Sequence, residues 1–339
     1  MRLSVKMHRL RAVTAVLLCL SFLCLGACST QTAGEPGCLF LDGDNVAVDW
    51  VLKVNGRAIS ADEYRYQFLT MRDENDEGDA NFWTEETAAI LKDQVTEFLS
   101  LLVAVEDLAA SYGIVRDSAS AEYAAQQLTA TKAGFESDEA FVTALQELHM
   151  NEISYKNQLE CDYLQSQLID VLFGENGAYA VSDTEFLEIV NQDYARVRYL
   201  AIKYDAENYA QKREHAENLA QMMNDDTFVE IVNQYNEENA MITNPDGLYL
   251  RKGMTHDAAF ESACFALEQD EISALVETEY AFYVIKRLAP EEDYVKQNYD
   301  DMLNDYYGSI FSELLLQTAE NYTVEYAEIF DEISVFNMG

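Results

Sequence analysis

Val197-Arg198-Tyr199-Leu200-Ala201-Ile202-Lys203-Tyr204 marks where the chain changes from a helical pattern to a strand pattern. Upstream, residues 55–194 read as almost wholly helical. Leu91, Val95, Phe98, Leu102 and Val105 recur at alternating steps of four and three. That spacing predicts one apolar stripe on a long helix opening near Thr84 and ending at Gly113. Further helices are predicted over 118–132, 137–149 and 151–173. The capping-box spacings Ser60/Glu63 and Ser182/Glu185 open two more. Downstream, helices over about 206–223 and 226–235 alternate with strands over 248–250, 275–278 and 282–287, with a helical turn near 258–265. Strands interleaved with helices in so short a span indicate a compact α+β domain. A last helix over 291–319 leads to the β-like Tyr322-Thr323-Val324-Glu325-Tyr326, placed to pair with a strand over Val46–Val54 and close both chain ends on one domain. Asn55-Gly56 after that first strand is a strong turn signal.

The beginning of the chain has different physics. Arg2, Lys6, Arg9 and Arg11 precede an apolar run from Ala12 to Leu25, broken by Thr14 and Ser21. This suits a signal-peptide core and is short for a permanent span. Leu25-Gly26-Ala27-Cys28 follows, a large aliphatic, two small residues and a cysteine. The expected organisation is a leader (1–27), a tether (28–45), a helical domain (46–194), an α+β domain (195–289) and a returning segment (290–339).

The 339 residues carry 22 Lys and Arg against 61 Asp and Glu, a formal charge of −39. Such a surface excludes nucleic acid as a partner and does not lie flat on anionic lipid. Abundant aromatic and aliphatic residues still predict a folded core. Beyond Cys28, Cys38, Cys161 and Cys264 are widely spaced and odd in number, so neither a disulfide framework nor a zinc spacing emerges. Cys161 and Cys264 are expected as small core residues.

Three segments carry family resemblances. Leu25–Cys28 resembles a lipobox, which implies a diacylglyceryl group on Cys28 and anchoring at the extracytoplasmic face of the cell membrane. Val54-Asn55-Gly56-Arg57-Ala58-Ile59-Ser60-Ala61-Asp62-Glu63-Tyr64 resembles the opening of the SurA/PrsA-type chaperone domain. Residues 196–289 resemble a parvulin-type peptidyl-prolyl isomerase domain, most closely at Phe260-Glu261-Ser262-Ala263-Cys264-Phe265-Ala266-Leu267 and Phe282-Tyr283-Val284-Ile285-Lys286. The fold class implied is α+β: a mostly helical chaperone domain with an inserted parvulin-like domain. The function implied is that of a foldase acting on unfolded or proline-containing secreted polypeptides.

Prolyl isomerisation crosses a barrier of about 18–20 kcal/mol and needs no cofactor, metal or nucleophile. It needs an apolar grip on the proline ring and polar groups that favour the twisted amide. By resemblance, Met254 and Phe260 form the grip, with Phe265 behind them, and Thr278 matches the family threonine. The family's two histidines are Tyr199 and Tyr283 here, and its Cys/Asp position falls on Glu238. The two phenols are placed to hydrogen-bond each other, which implies a retained scaffold with weak or absent isomerase activity. His215 and His256 fall on no family position and read as surface residues. The alternative is a non-catalytic binding or scaffold lipoprotein of the envelope. Asp73-Glu74-Asn75-Asp76-Glu77-Gly78-Asp79 imitates a calcium loop, but position 12 is Thr84, so a solvated acidic loop is expected.

Overall fold

The structure, a computed structural model, describes residues 35–76, 79, 81–253, 255 and 257–339. The leader, Cys28, Met254 and His256 lie outside the described residues. Two compact units are present: the first runs up to Ala180 and resumes over Asp305–Gly339, and the second is Val181–Asn304.

The first unit opens with β1 (Cys38–Leu41), β2 (Asp44–Ala47), β3 (Leu52–Val54) and β4 (Arg57–Ile59). The expected tether is therefore shorter at its far end. β1 and β2 pair as a hairpin around Asp42-Gly43, and Leu39 and Leu41 are buried. Asp42 and Gly43 have φ of 51° and 89°, the left-handed geometry of a two-residue hairpin turn; Asn55 and Gly56 repeat it at 49° and 83° between β3 and β4. The strand expected over 46–54 is split, because residues 48–51 leave the β2 ladder before β3 begins. Val324–Tyr326 pairs antiparallel with β3, Lys53 opposite Glu325, so the end of the chain completes a three-stranded sheet with β3 and β4.

Helices α1 (Ala61–Asp76), α2 (Glu85–Ser111), α3 (Ser118–Lys132), α4 (Asp138–Glu147) and α5 (Glu152–Phe173) follow. Thr84, Asp117, Ser137 and Asn151 cap α2 to α5 with their side chains, which satisfies backbone donors at each first turn. The single stripe expected on α2 is two. Leu91, Val95, Leu99 and Val103 enter the core around β3 and α1, whereas Phe98, Leu101, Val105 and Leu108 pack with Leu168 and Leu172 and with Phe311 and Leu315 of the late helix Tyr299–Ala319. A helix of 27 residues is long enough to serve both. Cys161 is not plain core: its sulfur lies 2.9 Å from Arg116 Nη2 and near Glu106.

The second unit contains α6 (Asp183–Asp193), β5 (Tyr194–Lys203), α7 (Tyr209–Met222), α8 (Phe228–Tyr235), α9 (Ala240–Thr243), β6 (Leu248–Arg251), α10 (Ala258–Ala266), β7 (Val276–Glu277), β8 (Ala281–Leu288) and α11 (Glu292–Gln297). The compact unit Val181–Asn304 encloses the expected 195–289. The Ser182/Glu185 capping box opens α6, which runs into β5 without a linker. The Tyr194 hydroxyl donates to the Met302 carbonyl, and Phe186 stacks edge-on with Tyr299. The sheet order is β6-β5-β8-β7, all antiparallel.

Candidate functional site

The sheet of the second unit leaves a gap that builds the site. β6 pairs with Tyr194–Val197 of β5, whereas β8 pairs as far as Lys203. On the β6 side, the later backbone groups of β5 need other partners. The loop after α8 supplies them. Asn236 Oδ1 accepts from Ala201 N at 2.7 Å, Glu237 N donates to Ala201 O at 2.9 Å, and Glu237 Oε2 accepts from Lys203 N at 2.8 Å. Asn236 Nδ2 also donates to the Glu238 carbonyl at 2.6 Å, and the sulfur of buried Met241 sits 3.4 Å from Tyr199 N. Glu238 is thereby fixed beside the strand.

Tyr199 and Tyr283 are diagonal neighbours on one face of the sheet. Tyr199 lies opposite Ile285, Tyr283 lies opposite Ala201, and the small Ala201 leaves room between the rings. Their centroids are 5.6 Å apart, edge to face at 74°. Phe260 from α10 closes a trio, 5.1 Å from Tyr199 and 4.7 Å from Tyr283. The phenols do not bond each other as expected. Both donate to Glu238, Tyr199 to Oε2 at 2.8 Å and Tyr283 to Oε1 at 3.0 Å. A carboxylate is the stronger acceptor, and two oxygens held by two donors outcompete a neutral phenol pair. Burial, reinforced by Glu238, pushes both hydroxyls well above the ordinary tyrosine range, so both remain donors.

Phe260 is held in place by Asp257, which accepts from Ala259 N and Phe260 N, both at 2.9 Å. Asp257→Ala is expected to cost about 1 kcal/mol, the usual worth of such a cap, read as a lowered urea midpoint of this unit. An unchanged midpoint would remove the cap from this account. Sequence reading passed over Asp257, although an Asp just before a helical segment is a visible start signal. No comparable signal marked Asn236 or Met241, because their roles depend on where β6 stops.

The remaining expected residues separate. Thr278 is buried in the turn between β7 and β8. Its hydroxyl donates to the Ala281 carbonyl at 3.1 Å and accepts from Tyr280 N and Ala281 N. Its hydrogen bonds shape the hairpin and do not reach Glu238. Phe265 packs at the edge of the core under Arg287. Cys264 is fully buried, and burial pushes its thiol up to about 12. His215 is exposed on α7 beside Tyr235. The calcium-like stretch begins inside α1, with Asp73 bonded to Arg72 and His149 and Asp76 accepting from Trp83 Nε1. Among the described residues, no group of three or more His, Cys, Asp or Glu is placed to hold a metal ion.

Comparison with known families agrees with both halves of this architecture. A family described as the PPIC-type PPIASE domain matches residues 198–289, and the SurA-like N-terminal domain matches residues 5–169. The chain joins a SurA-like domain to a PPIC-type, that is parvulin-type, domain. Its fold is accordingly a mostly helical chaperone-type unit interrupted by the parvulin-type unit. Similar solved structures include peptidylprolyl isomerase (PrsA) from Bacillus anthracis, 16% identical over 66% of this chain and 97% of that one, with a TM-score of 0.37. PrsA from Bacillus cereus is 18% identical over 83% and 92%, with a TM-score of 0.33. A SurA-like chaperone structure from Campylobacter jejuni is 16% identical over 79% and 94%, with a TM-score of 0.23. No protein of curated function matches the chain.

Proposed function

We propose that this chain is a lipid-anchored extracytoplasmic foldase whose parvulin-type domain holds proline-containing segments of secreted polypeptides with weak or absent isomerisation. One observation carries the reading: the Tyr199 and Tyr283 hydroxyls both donate to Glu238. Catalysis of amide rotation requires donors free to favour the twisted amide over the planar one. Here the two candidate donors are committed to a carboxylate, and that negative charge repels the carbonyl oxygen of a bound amide. Tyr199 and Phe260 are buried and Tyr283 is half-buried, so the apolar surface left for a proline ring is that of Tyr283, backed by the other two rings. Met254, the expected second half of the grip, lies outside the described residues. The anchoring and the compartment are supported by the basic start, the apolar run and Leu25–Cys28.

A prolyl-peptide isomerisation assay on the full chain tests this. Relaxation is expected to stay at the uncatalysed tens of seconds at every chain concentration. Strong acceleration that grows with chain concentration would overturn the reading of weak or absent activity. Tyr199→His combined with Tyr283→His restores the family's pair, and a gained rate in that variant would tie the loss to these positions. The closed Tyr–Glu–Tyr arrangement equally favours a scaffold for one envelope partner. Suppressed aggregation of several unrelated unfolded proteins separates the foldase from such a scaffold, which protects none of them.

A further inference from the structure

We infer that Glu238 makes this groove selective for prolines flanked by a cationic residue, Lys or Arg, on the client chain. The inference rests on the proline-binding reading above and names the substrate class for the same site. Its ground is the way Glu238 is held. The neighbouring Glu237 is neutralised by Lys212 at 2.5 Å, but among the described residues no Lys or Arg pairs with Glu238. Its two oxygens each accept one phenol hydrogen, and a carboxylate has about four lone-pair sites, so acceptor capacity remains on both. The group is half-buried, which strengthens its interaction with an incoming charge relative to one in open water.

The surroundings favour the same ligand. Tyr283, which is half-buried, meets the carboxylate through its hydroxyl and so keeps its ring beside the group, and aromatic rings attract ammonium and guanidinium groups. Asp257, at the head of the helix carrying Phe260, adds to the negative potential at Tyr283. A guanidinium is planar and its donors form a fork, so it can meet one carboxylate with two bonds while stacking on a ring. An acidic residue beside the proline meets Glu238 and is rejected.

Fluorescence anisotropy with short labelled Xaa-Pro peptides, Xaa being Arg, Lys, Ala or Glu, tests this on the full chain. Arg-Pro and Lys-Pro peptides are expected to bind at least tenfold more tightly than Glu-Pro, with Ala-Pro between. Glu238→Gln keeps an acceptor for the phenols and is expected to abolish the ranking. Glu214→Gln, on the exposed face of α7, is expected to keep it. Equal affinity for all four peptides overturns the charge selection and leaves the proline groove standing. A ranking that persists in Glu238→Gln assigns it to the general acidity of the surface and overturns the role of Glu238. Failure of every peptide to bind overturns the groove itself.

Discussion

Phe282→Ala is expected to lower the stability of the second unit by about 3–5 kcal/mol, the cost of emptying an aromatic position in a packed core. Phe282 is fully buried on the sheet face opposite the tyrosine pair. Its ring lies 4.6 Å from Tyr204 and 5.5 Å from Tyr209, so one side chain joins β8, the end of β5 and the start of α7. Hydrogen exchange in β5 and β8 reads the effect, and both strands should lose protection together. The two tryptophans, Trp50 and Trp83, lie in the first unit and provide an internal control. Their fluorescence midpoint in urea should stay where it was. A loss under about 1 kcal/mol would mean that the neighbours collapse into the space, contrary to close packing.

Arg65→Ala is expected to cost the first unit about 3–5 kcal/mol, because it leaves a buried carboxylate without its cation. Arg65 is 1% exposed; it donates to the Cys38 carbonyl and to Asp62 Oδ1 at 3.0 Å. Asp62 in turn accepts from Gly37 N at 2.7 Å and from Asn151 Nδ2 at 2.6 Å. The pair therefore joins the β1–β2 hairpin, α1 and the capping residue of α5. Here the tryptophan midpoint should fall, the reverse of the Phe282 result. Asp62→Asn combined with Arg65→Met removes both charges and should recover part of the loss. If the double variant is no more stable than Arg65→Ala, the stranded charge is not the cause.

Much of the architecture was legible because its signals are local. Capping residues at Ser60 and Ser182, the Asn55-Gly56 turn and the change of pattern near Val197 are each written in a few adjacent positions. The β1–β2 hairpin was missed although Asp42-Gly43 carries the same turn chemistry as Asn55-Gly56. Its short apolar run, Cys38–Leu41, sits among glycines and acids that read as linker. The split stripe of α2 was missed for another reason: spacing shows that a helix is amphipathic, not how many partners it meets. The site divides similarly. Tyr199, Tyr283 and Phe260 were identifiable position by position, and they do converge. That both phenols turn to Glu238 depends on a loop standing in for a strand, which no local pattern encodes.

The pairing of β3 with Val324–Tyr326 sets a timetable for the growing chain. Val181–Asn304 is continuous, and its strands are all made before the last residues of the protein exist. The unit that begins first is thus the last to be finished, since β3 waits through some 270 residues for its partner. Contacts so distant in sequence form slowly. Until then β3 presents bare backbone groups on one side, the kind of edge that recruits other strands. A product cut short before Val324 keeps that edge permanently and is expected to self-associate more readily than the full chain.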